Sequence, residues 1–409
     1  MSIRTIFNRQ SALRTLSLSL VLASIIPLNG CGGFFHAITT TTTTNSGTGY
    51  DIVYVGKNGS TSFVGYALSS STGNLTAVTT SAYSIGSAPL SMAITPSNAY
   101  LYVGTVAGIY GYSIAAGGGL TSLNSSAAIA NTPATLGNGP ISMDVSPDGD
   151  WLAVLTNNAG GSATVLVYQI TTSTGLLTFD DSATVAVSST AVMHTIKFSP
   201  NEDLLAATLG TSGTEVFGFT PSNGAITSSY VAGLTPTSSL YSDNAAVFSY
   251  AGTTLYLTRG GSAAALLAYP INATTGAITA NSGQSILTGT NPTALSLNIS
   301  TAATPYLYVT NTGDSTITGV AIGSSPTSMS ALPNSPYSSQ ATSPYAIAYD
   351  NTGTYMLALN QSGAPDLVEY TIDTASATAG RLYVTASANT GLGVSSSNVG
   401  PGITMVTTH

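Results

Sequence analysis

Charge is what this chain has least of. Of its 409 residues only 5% are Asp, Glu, Lys or Arg, and three of the seven basic ones, Arg4, Arg9 and Arg14, fall before position 15. Beyond them stand four cations, Lys57, Lys197, Arg259 and Arg381, against fifteen acids. Four scattered cations give no footprint for nucleic acid and little grip on a multiply charged phosphate ligand. Cysteine occurs once, at Cys31, which excludes an intrachain disulfide. Histidine occurs three times, and only His194 lies far from the ends that hold His36 and His409. There is no Ser-His-Asp order, zinc-ligand set, calcium-loop spacing or phosphate loop, so no metal or cofactor is expected. What is abundant is Gly, Ser, Thr, Ala and Val, with 43% hydrophobic residues. That composition favours strands and tight turns with an ample core, and does not read as disorder.

The N-terminus has its own grammar. The three arginines form a positive segment ahead of the apolar run LSLSLVLASIIPL, which is too short to read first as a membrane span. It ends in LNGC at Cys31. This resembles the bacterial lipobox, whose cysteine is diacylated and becomes the mature N-terminus, although Asn29 replaces the usual small or aliphatic residue. The plain alternative is a signal peptide with a chance cysteine. Residues 1–30 are therefore expected to be a lipoprotein signal peptide, with lipidation at Cys31 and anchoring at the cell envelope. Gly32 resembles the sorting pattern of outer-membrane lipoproteins in enteric bacteria. Residues 31–49, with six threonines in a row from Thr39 to Thr44, read as a tether that cannot bury enough apolar area to fold.

From Tyr50 onward one unit recurs. Its inner pair appears as PLSMAITPSNAYLYVGT at 89–105, PISMDVSPDGDWLAVLT at 140–156 and MHTIKFSPNEDLLAATL at 193–209. Further copies begin at 243, 292 and 344. Apolar residues alternate in each half, and the turn between is rich in Pro, Asn, Asp or Gly, as an antiparallel pair requires. A third strand and then a T-G hairpin signal follow, as in VLVYQITTSTGLLTF at 165–179. Four antiparallel strands per roughly fifty residues make a propeller blade.

The ends complete the count. YDIVYVGKN at Tyr50 is a second strand with no first strand before it, and PGITMVTTH at 401–409 is a first strand with no second after it. Together they make a seventh blade. The expected fold is all-β: residues 50–409 form a seven-bladed propeller closed by pairing of its terminal strands, with second strands centred near Val55, Val103, Val154, Ala207, Leu257, Val309 and Ala358.

YLYVTN at 306–311, YLYVGT at 100–105 and the SPDG turn at 146–149 resemble YVTN-type repeats. The order SPDG, aliphatic strand, VxxY strand, STGxLT is similar to the seven-bladed lactonase family, which includes bacterial 6-phosphogluconolactonase and fungal carboxymuconate cyclase. The resemblance spans residues 50–409 and implies a site built from a Pro-His pair, an Arg-His pair on the next inner strand, and acids after second strands. Such a site would supply a proton carrier near neutral pH and donors for developing oxyanion charge. His194 falls on the Pro-His position, with Met193 in place of proline. Asn244 and Ala245 stand at the Arg-His positions. No carboxylate follows at Arg259–Gly260 or at Thr208–Leu209.

His194 is thus the one candidate catalytic residue, and Leu90, Ile141 and Asn244 at the equivalent positions of other copies speak for an ordinary strand start instead. Asp144 and Lys197 share a register in adjacent copies and are expected to pair near the axis. Asp148 and Asp150 suit turn geometry around Gly149, and Asp180-Asp181 lacks calcium spacing. Tyr54, Tyr102, Tyr256 and Tyr308 are expected to be buried between blades, whereas Tyr337 and Tyr345, near loops, could face a ligand. The sequence therefore favours an exported, lipid-anchored, monomeric platform that binds a neutral small molecule, a glycan or a surface protein, with no nucleic-acid partner. The alternative is a lactone hydrolase acting on a neutral substrate with His194 as proton carrier. His194 beside an acid or Arg259 would favour the hydrolase, and His194 packed between blades without a polar partner would favour the platform.

Overall fold

A computed structural model of the chain describes residues 49–129, 139–158, 161–189, 191–236, 238–279, 283–298, 305–325, 327–393 and 402–409. The expected leader and nearly all of the tether, including Cys31, lie outside the described residues. From Gly49 on, the described chain contains strands and turns with no helix. The strands make seven antiparallel sheets.

Each sheet is written from the axis outward as inner, second, third and fourth strand. Blade 1 is Ile403–Thr407, Tyr50–Lys57, Ser62–Ser69 and Leu75–Ala77. Blade 2 is Pro89–Ile94, Tyr100–Thr105, Gly108–Ile114 and Leu120–Ser122. Blade 3 is Pro140–Val145, Trp151–Asn158, Ser162–Thr171 and Leu176–Ala186. Blade 4 is Thr195–Phe198, Leu204–Thr208, Thr214–Thr220 and Ala225–Ile226. Blade 5 is Ser242–Phe248, Thr254–Gly260, Ala265–Pro270 and Gln284–Leu287. Blade 6 is Pro292–Leu297, Tyr306–Asn311, Thr316–Ile322 and Met329–Ala331. Blade 7 is Thr342–Tyr349, Tyr355–Ser362, Leu367–Ile372 and Leu382–Ala388. Short strands in blades 1, 4 and 6 also pair with the third strand.

The ring closes as its sequence halves require. Ile403–Thr407 pairs with Tyr50–Lys57, Val55 opposite Met405, so both ends of the propeller share blade 1. All seven expected strand centres fall on second strands. Second strands carry side chains on both faces into blade-to-blade packing, which explains their unbroken apolar runs. Leu205 and Ala207, for example, pack toward blade 3, and Leu204 and Ala206 toward blade 5.

Tyrosines fasten several of these seams. Tyr54, Tyr102 and Tyr308 are fully buried, and each hydroxyl donates to a glycine carbonyl in the outer hairpin of the next blade. The pairs are Tyr54 with Gly118 at 2.9 Å, Tyr102 with Gly175 at 3.0 Å and Tyr308 with Gly380 at 2.5 Å. Trp151 Nε1 does the same to Pro221 O at 2.9 Å. Glycine is needed in those hairpins for two reasons: Gly175 has φ +72°, and a Cβ there would run into the Tyr100 ring. On the tyrosine's own blade, the cross-strand partners Gly65, Gly111 and Gly319 leave room for the ring.

Candidate functional site

The inner strands of all seven blades line an axial lumen of about 200 Å³. Its wall is stitched blade to blade by the residues just inside each strand start. Ser91 Oγ donates to Pro140 O at 2.7 Å, and Asn244 Nδ2 donates to Pro292 O at 2.6 Å. Thr195 Oγ1 donates to Asn244 O at 3.3 Å, and Ser142 Oγ accepts from Ile196 N at 3.1 Å. A small bulge at the start of five inner strands, as between Pro89 and Ser91, sets these groups against the neighbouring blade.

Few lumen polar groups are left over. His194 lines the lumen at the start of blade 4's inner strand. Its backbone N–H donates to Thr208 O at 3.1 Å, but its imidazole has no hydrogen-bond partner among the described residues. The ring touches the lumen on one side while protein surrounds it on the others. That burial pushes its pKa down to about 4, so it is neutral at pH 7. As pH falls from 6.5 toward 4, the unfolded chain takes up a proton that the folded ring refuses, and His194 then works against folding. Tyr345 and Thr404 also line the lumen without partners for their hydroxyls among the described residues, and burial raises the Tyr345 phenol, keeping it uncharged. Around these three stand Leu90, Ile141, Met92, Met143, Leu295 and Met405.

The cations are committed elsewhere. Lys197 pairs with Asp144 at 2.7 Å across the wall, as its register implied, and Asp144 also accepts from Phe198 N. Arg259 does lie at the end of the ring where inner strands begin, but Asp243 holds one edge of its guanidinium bidentately, Nε to Oδ1 at 2.6 Å and Nη2 to Oδ2 at 3.0 Å. Asp243 also accepts from Thr214 Oγ1, which ties blade 5 to blade 4. The acid beside Arg259 thus comes from the inner strand, not from the end of the second strand, because the Asp243–Ala245 bulge turns Asp243 opposite Arg259. Neither residue lines the lumen. His194 is therefore not packed between blades, and it is not beside an acid or Arg259 either.

The model of the lactonase family with a seven-bladed β-propeller matches residues 53–395. The chain belongs to that family. A periplasmic gluconolactonase from Pseudomonas aeruginosa superposes with a TM-score of 0.67 at 18% identity, covering 87% of this chain and 99% of its own. A protein from Lactobacillus plantarum superposes with a TM-score of 0.65 at 17% identity, covering 88% and 100%. No curated protein matches the sequence. At such identities these structures show the fold alone.

His194, expected at the Pro-His position, lines the lumen at the start of blade 4's inner strand. Asn244, at the expected Arg position, spends its side chain on Pro292 O and Ser242 Oγ, and Ala245 is part of the lumen wall. Of the two tyrosines expected near loops, Tyr345 lies on blade 7's inner strand and reaches the lumen. Tyr337 does not: it is buried in the blade 6–blade 7 core and donates to Pro333 O. Among the described residues no group of three or more His, Cys, Asp or Glu side chains is placed to hold a metal. Asp148 closes its own turn, accepting from Ser146 Oγ and from Asp150 N.

Proposed function

We propose that this lactonase-family ring is a receptor for a small uncharged ligand, held in the axial lumen of a chain that is exported and lipid-anchored at Cys31. The observation that carries the reading is the inventory of the lumen: an apolar wall, three uncharged polar side chains without partners among the described residues, His194, Tyr345 and Thr404, and one cation already neutralised by Asp144. An apolar pocket with a few polar groups suits a ligand with an apolar ring face and two or three hydrogen-bonding functions, such as a glycan unit or a neutral lactone. A phosphorylated sugar lactone would need positive charge that this lumen lacks.

Lactone hydrolysis is the second reading, favoured by His194 facing the lumen. An imidazole with pKa near 4 is a weak base at neutral pH, and it lacks an orienting acid. One experiment separates the two. The full chain is assayed against a panel of neutral lactones and glycans for both turnover and ligand-induced thermal stabilisation. We expect stabilisation without turnover, weakened in His194→Gln and Tyr345→Phe. Turnover abolished by His194→Ala would establish the hydrolase. In the same preparations Cys31→Ala should release the protein from membranes, and unchanged membrane association would count against the anchor.

A further inference from the structure

The seam between blade 7 and blade 1 is built unlike the three that buried tyrosines fasten. At the position held by Tyr54, Tyr102 and Tyr308, blade 7 has Leu357, and its cross-strand partner is not glycine but Glu369. The Glu369 side chain is fully buried against Gly73, in the outer hairpin of blade 1, where a Cβ would strike its Oε1. Gly73 is the counterpart of Gly118, Gly175 and Gly380, whose carbonyls receive tyrosine hydroxyls in other seams. Among the described residues neither carboxyl oxygen of Glu369 has a hydrogen-bond partner.

Among the described residues no positive charge faces this acid. Asp350 approaches it from the end of the inner strand and Tyr355 from the second strand, while Thr385 comes from the fourth strand and Gly73 from blade 1. Beyond Asp350 lies a further buried carboxyl, Asp51 of blade 1, which accepts from Asn351 N at 2.9 Å. The seam's one cation, Lys57, is spent on Asp366. An ionised Glu369 would be a desolvated charge beside another carboxylate with nothing to bind it.

We propose that Glu369 is a protonation-dependent latch: as the neutral acid it takes the tyrosine's place between blades 7 and 1, and as the anion it drives that seam apart, so the ring opens there first in alkali. Burial and Asp350 push the Glu369 pKa up to about 8 from an ordinary 4.5, and burial likewise lifts Asp51 to about 6. The raised values fix the sign. The stabilisation is complete below pH 4.5, where folded and unfolded chains both hold the proton, and is lost as pH climbs through 8.

The test compares wild type, Glu369→Gln and the double variant Leu357→Tyr/Glu369→Gly, which installs the tyrosine latch of the three seams described above. Glu202 and Glu215 in blade 4, whose pKa values burial lifts to about 7, titrate in all three proteins and cancel. The wild-type melting temperature should fall by roughly 5 °C more than that of either variant between pH 6 and pH 9. Amide exchange, corrected for its intrinsic pH dependence, should rise about tenfold at residues 50–57 and 367–372 of the wild type and not in the other seams. Equal alkaline losses in wild type and Glu369→Gln would overturn the latch. So would a Glu369→Gln protein that is unstable at every pH, because a neutral isostere must be tolerated, or exchange in this seam that only tracks the rest of the ring.

Discussion

Lys57→Met should cost the ring about 3–5 kcal/mol, because it strands a buried carboxylate. Lys57 is 1% exposed and Asp366 4%, and they meet at 2.5 Å across the blade 7–blade 1 seam. Asp366 also accepts from Thr390 N at 2.8 Å and from its hydroxyl at 2.6 Å. Burial works to raise its pKa, but the Lys57 and Thr390 bonds outweigh it and hold the group below the usual carboxylate range. Unfolding in urea at pH 7 measures the loss. Lys57→Met/Asp366→Leu should recover most of it, since removing both partners leaves no buried charge. A single variant within 1 kcal/mol of wild type, by the same estimate, would mean that water reaches Asp366.

Arg259→Leu should be nearly as damaging, again about 3–5 kcal/mol, since Asp243 is wholly buried and would keep only Thr214 as a side-chain partner. The lactonase resemblance places its arginine at Asn244 and gives Arg259 no role. A cation at the channel end invites a substrate-binding role, but one edge of its guanidinium is held by Asp243 and it does not line the lumen. Protein that stays folded at low temperature should therefore keep its lumen-ligand response with Arg259→Leu. If ligand response disappears while circular dichroism is native, Arg259 contacts the ligand after all.

The ring was readable because its signals are local and repeated. Alternation and turns rich in Pro, Asn, Asp or Gly recur from unit to unit, several units add the T-G hairpin, and the two half-units at Tyr50 and 401–409 show where the circle joins. Asp144 and Lys197 were legible for the same reason: equal register in adjacent blades puts two residues side by side. What escaped notice has no such rule behind it. Lys57 and Asp366 are separated by 309 residues, and nothing local in either strand points to the other. Asp243 reaches Arg259 only through a bulge that strict alternation does not foresee. Glu369 looks like any strand residue until it is laid against Gly65, Gly111 and Gly319. The free state of His194, Tyr345 and Thr404 depends on which neighbours use up their own hydrogen bonds, a three-dimensional property.

The scarcity of charge carries one more consequence, for proteolysis. From Gly49 onward, trypsin-like proteases find only Lys57, Lys197, Arg259 and Arg381 to cut after. Three of these lie within paired strands, and Arg381 stands directly before Leu382–Ala388 with its guanidinium 4.6 Å from the centre of the Tyr383 ring. Cleavage needs a segment that can leave the fold and thread an enzyme's active site. The closed ring offers such an enzyme no ready bond, and loosening between blades 7 and 1 would put the bond after Lys57 first within its reach.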